Sequence, residues 1–148
     1  MDEREISRKV NEFCKVGNLE EFREIVTDIF IEIAKHGCRI SARTDGGPAC
    51  HDFQQEYCSI RIPILRYTSN PIDAIWVILH EFGHHLSGNI PIAELHKDEI
   101  KLFRETEAWD NAAEYVRKYP VLANRIAEFN IYAESCLSSY RRIFDISK

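Results

Sequence analysis

The chain has 148 residues, 45% of them apolar and 29% charged, the profile of a globular protein large enough to build a core. Its 19 Lys and Arg against 24 Asp and Glu leave a formal charge of −5, which argues against nucleic acid or an anionic membrane surface as partner, because both need clustered cations. No apolar run approaches the roughly 18 residues that span a bilayer, and the charged start MDEREISRKV lacks the apolar stretch of a secretory signal.

The five cysteines, Cys14, Cys38, Cys50, Cys58 and Cys136, are scattered and include no C-x-x-C. Odd in number, they give no disulfide framework and fit a reducing cytoplasm. Buried or idle thiols are the plain expectation; a zinc knuckle from Cys50, His51 and Cys58 is the lesser alternative. Residues 1–148 are expected to form a single domain.

Along the chain, Ile6, Val10, Phe13 and Cys14 recur at helical steps until Gly17. Asn18 and Glu21 then have the spacing of a capping box. The helix predicted after them carries Phe22, Ile25, Val26, Ile29, Phe30 and Ile33 on one stripe and ends near Gly37. From Cys38 to Tyr67 the texture becomes that of strands. CRISAR and CSIRIPILRY flank the turn TDGGP, with an optional third strand between them. Pro63 lacks an N–H, so the last strand is expected at a sheet edge or at the end of a ladder. Three helices follow: one from about Asn70 to Ser87 stopped by Gly88, one from about Lys97 to Lys118, and one from about Val121 to Phe144. The sum is an α+β domain with a small, mostly antiparallel sheet and about five helices.

The chemistry concentrates in VILHEFGHHLSGN, residues 77–89. His80 and His84 are four apart, so a helix aims both imidazoles at one point from one face. Glu81 then lies beside that point, within reach of a water there. The H-E-x-x-H spacing is that of a zinc site with its general base built in. Ile72, Ile75, Trp76, Leu79, Phe82 and Leu86 surround these groups with apolar surface. Two histidines and a glutamate left unpaired there would be costly. The bland alternative is a pair of satisfied core histidines and a salt-bridged glutamate.

A third ligand must come from elsewhere, and RETEAWDNAAEYV offers Glu105 and Glu107. Glu105 shares its helical face with Ala108, Trp109, Ala112 and Val116; Glu107 lies among Asp110, Asn111 and Glu114. A carboxylate on the apolar face wants a metal, which favours Glu105. Gly83 stands in mid-helix, at a cost of about 1 kcal/mol relative to alanine, and close approach of another backbone beneath the ligands would compensate. His85 points about 100° away from His84 and reads as a supporting or surface residue. His36, His51 and His96 read as ordinary surface histidines.

HEFGHH followed by ETEAWDNA resembles the ImmA/IrrE family of metallopeptidases, within the wider zincin group. His80, Glu81, Gly83 and His84 match that family's H-E-x-G-H. Glu105, Ala108 and Ala112 match its E-x-x-A-N-x-F-A, with Trp109 and Asn111 in place of the usual Asn and Phe. The resemblance implies a zincin-like fold and a zinc ion (Zn2+) on His80, His84 and Glu105. It also implies peptide-bond hydrolysis with Glu81 as general base, and a regulatory protein such as a helix-turn-helix repressor as substrate. Tyr115, Tyr132 and Arg104 are candidate oxyanion donors, and the edge of the strand carrying Pro63 is a candidate track for an extended peptide. A metal-binding regulatory domain without hydrolysis is the alternative. A di-iron bundle is a remote rival, since it needs a second E-x-x-H on a facing helix and the strand region fits it poorly.

Overall fold

A computed structural model describes residues 1–54, 57–88 and 97–146. The described residues form an α+β protein with six helices and a three-stranded sheet. Residues 1–81 and 82–148 make two compact units, and the division falls within one uninterrupted helix.

In the first unit, α1 (Glu3–Val16) starts where the Asp2 side chain accepts from the Glu5 N–H at 2.8 Å and ends at Gly17. Its predicted apolar residues Ile6, Val10, Phe13 and Cys14 are all buried. The capping box does not form. Asn18 instead adopts a left-handed φ of 60°, and a 3-10 turn (Glu20–Phe22) leads into α2 (Arg23–Lys35). The predicted stripe of α2 is nonetheless buried, and Phe30 meets Phe13 edge-on at 5.0 Å between centroids.

The strands are β1 (Cys38–Ala42), β2 (Cys50–Gln54) and β3 (Tyr57–Ile62). Their order is β1-β3-β2, with β1 parallel and β2 antiparallel to β3. The sheet is therefore mixed rather than mostly antiparallel, and β3 is its centre rather than an edge. Pro63 lies just past the end of β3, where its missing N–H breaks no ladder bond. Ile40, Ile60 and Ile62 are wholly buried. A further correction concerns the thiols: Cys38 and Cys58, register partners across β1 and β3, are joined as a disulfide.

Helix α3 (Ile72–Ser87) crosses the division between the units. Ala74 through Leu79 are buried without interruption, as expected of a central helix. Gly88, at φ 78°, takes the left-handed conformation that favours glycine after a helix.

In the second unit, α4 (Asp98–Lys118) packs on α6 (Ile126–Ile146), with the short α5 (Pro120–Ala123) between them. The expected last helix is thus two, and six helices replace five. Trp109 anchors this unit, its ring 5.8 Å from Phe129 and 6.0 Å from Tyr132. None of the described helices is long and apolar enough to cross a membrane.

Candidate metal centre

Helix α3 carries His80, Glu81, His84 and His85 on its last two turns. Helical geometry stacks His80 and His84 one turn apart on one face. Within the second unit, α4 brings Glu105 to the same place: its Oε1 lies 3.0 Å from His84 Nε2. His80, His84 and Glu105 each offer a ligand atom, all within 4.8 Å of one another. Glu107 belongs to no such group among the described residues.

These side chains are largely withdrawn from water. Exposure is 13% for His80, 8% for Glu81, 12% for His84 and 15% for Glu105. Glu81 is the one buried charged residue among those described, and its Oε1 lies 3.3 Å from His80 Nδ1. A carboxylate and imidazoles brought together in such a place are held most favourably by a cation.

The donor set fits zinc. Two imidazoles and one carboxylate are a known catalytic ligand set, which leaves a fourth position for water. Ligands at 2.0–2.1 Å from a tetrahedral ion lie roughly 3.3 Å from each other, close to the 3.0 Å between His84 and Glu105. That pair already stands near the spacing that coordination requires.

Two features of the second unit fix the arrangement. The backbone of Gly83 faces that of Ala108 so closely that a Cβ at position 83 would sit inside the Ala108 carbonyl oxygen. This is the close approach expected beneath the ligands. Asn111 completes the junction, its Nδ2 donating to Gly83 O at 3.1 Å and to Ser87 Oγ at 3.0 Å. From sequence it reads only as a polar neighbour of Glu107. The face chosen for Glu105 is buried as expected, with Ala108, Trp109, Ala112 and Val116 all in the core.

Of the candidate oxyanion donors, Tyr115 packs on Phe82 at 5.3 Å between centroids and Tyr132 on Trp109, so both have packing roles. The ring of His85 stacks on Phe82 at 6.2 Å. His51 is half-buried rather than a surface residue, its Nε2 3.2 Å from Cys58 Sγ. Cys38, His51 and Cys58, all in the first unit, form a second group of potential ligands, their donor atoms also within 4.8 Å of one another. Sequence spacing gives no hint of it beyond the proximity of His51 to Cys50 and Cys58. His96 lies outside the described residues. No family model, curated protein or solved structure matches the chain.

Proposed function

We propose that this chain is a zinc-dependent metallopeptidase of ImmA/IrrE type with a zincin-like fold. The observation that supports this best is the meeting of His84 with Glu105, on a helix that carries His80 one turn earlier. A zinc ion held by His80, His84 and Glu105 would supply Lewis-acid polarisation of a carbonyl and acidify a water toward neutral pH. Glu81 takes the proton of the attacking water and delivers it to the departing amine. Gly83 and Asn111 hold α3 and α4 at the separation the ligands need.

The substrate is a protein or peptide, with a helix-turn-helix repressor the class the resemblance implies, met in the cytoplasm. Because β3 is paired on both sides, it offers no free edge for an extended peptide. Among the described strands, β1 and β2 carry the edges, and an incoming peptide would pair along one of these. Cleavage of candidate repressors by the native chain and by Glu81→Gln tests the proposal. Cleavage by the native chain alone supports it, and equal cleavage by both removes Glu81 as base.

One observation favours a second reading, a metal-binding regulatory domain without hydrolysis. Glu81 is buried and its carboxylate faces His80 Nδ1, the position of a group that orients a ligand. In that case Glu81→Gln would keep the biological effect with metal still bound.

A further inference from the structure

We propose that Cys38, His51 and Cys58 supply the protein ligands of a second zinc site, within the sheet of the first unit and switched by the Cys38–Cys58 bridge. It shares no ligand with the proposed hydrolytic centre. Its donors all belong to that sheet. Cys38 opens β1 and faces Cys58 on β3 directly across the parallel pair. His51 on β2 brings Nε2 to 3.2 Å from Cys58 Sγ.

Two thiolates and one imidazole are three of the four donors that a zinc site uses. Around a tetrahedral ion such donors lie roughly 3.3–3.8 Å apart. The three donor atoms already fall within 4.8 Å of one another. Both cysteines are almost completely buried, at 1% and 2% exposure. Burial disfavours free thiolates there, whereas a cation between them would stabilise both.

The two states exclude each other, because the same sulfur electron pairs make either the S–S bond or the bonds to zinc. A dithiol donor opens the bridge: the two protein sulfurs take up two electrons and two protons and become thiols, and the donor closes to its own disulfide. One Zn2+ then displaces the two thiol protons, which leave to solvent. In a reducing compartment the sheet is clasped by metal, and under oxidation by the disulfide.

Zinc content of the full chain, oxidised and after reduction with a phosphine that does not bind zinc, tests this directly. The phosphine takes the oxygen of one water and becomes its oxide, and that water's two protons go to the sulfurs. The reduced chain should hold one more zinc than the oxidised chain, whatever the occupancy of the His80–His84–Glu105 centre. His80→Ala should lower both values equally and leave that difference intact. Cobalt added to the reduced chain should give thiolate-to-cobalt charge-transfer absorption, absent from the oxidised chain and strongly reduced in His51→Ala. Equal zinc in the two redox states, or cobalt uptake without thiolate absorption, would overturn the assignment.

Discussion

The backbone of Gly83 and the carbonyl of Ala108 are in such close approach that no side chain fits between them. The contact sits one residue before His84 and three after Glu105 along their helices. It therefore sets the separation at which His84 and Glu105 meet. Gly83→Ala pits two effects against each other. Alanine gains about 1 kcal/mol in helix propensity, but overpacking typically costs about 1–3 kcal/mol, occasionally more. Since the obstacle is backbone, the second effect should win. Denaturant unfolding should show net destabilisation, with weakened zinc binding; a more stable variant would show that the helices separate freely.

Asn111 ties the same junction by two donated hydrogen bonds. Asn111→Leu should cost about 0.5–1.5 kcal/mol for each bond lost, since Ser87 Oγ still donates to the Gly83 carbonyl. Chemical denaturation of the two proteins measures it, and unchanged stability would make the bonds incidental.

Glu105 and Glu107 should separate cleanly. Glu105→Ala is expected to abolish tight zinc binding at this centre, and Glu107→Ala to leave it unchanged, as read by calorimetric titration with zinc. The reverse pattern would move the ligand to Glu107.

Glu81→Gln should keep zinc while slowing peptide cleavage by about 10²–10⁴-fold, the range of general acid–base contributions. Steady-state kinetics beside metal analysis distinguishes this from simple loss of the ion.

Acid should probe the turn after β1. The Arg43 guanidinium, and after it the Gly47 N–H, hold the Asp45 carboxyl well below its ordinary value of 3.8. A depressed folded-state value means the stabilisation is present above the unfolded value and lost as pH falls through the folded one. Asp45 is 62% exposed, so the effect is small and screened by salt. Asp45→Asn should flatten the stability profile below about pH 4, seen in thermal melts across that range.

What the sequence discloses follows the range of the forces involved. The α1 and α2 stripes and the buried face of α4 are local periodicities, so Phe13, Phe30, Trp109 and Val116 are legible as core. Gly83 is legible too, because a glycine between two ligands has no local justification. Pairing order is not local. Nothing in CSIRIPI says that strands close on both sides of it, and Pro63 leaves a sheet edge and a ladder end both open where the structure has the ladder end. The capping box fails for a similar reason: Asn18 is drawn into a left-handed turn from which Nδ2 reaches Thr68 O at 3.5 Å. Cys38 and Cys58, twenty residues apart, become neighbours only through the parallel register.

The most direct test is zinc stoichiometry of the oxidised chain, where the Cys38–Cys58 bridge leaves His80, His84 and Glu105 as the ligand set. About one zinc per chain is predicted, lost in His84→Ala and in Glu105→Ala. No zinc in the native chain, or zinc retained in both variants, would contradict the account.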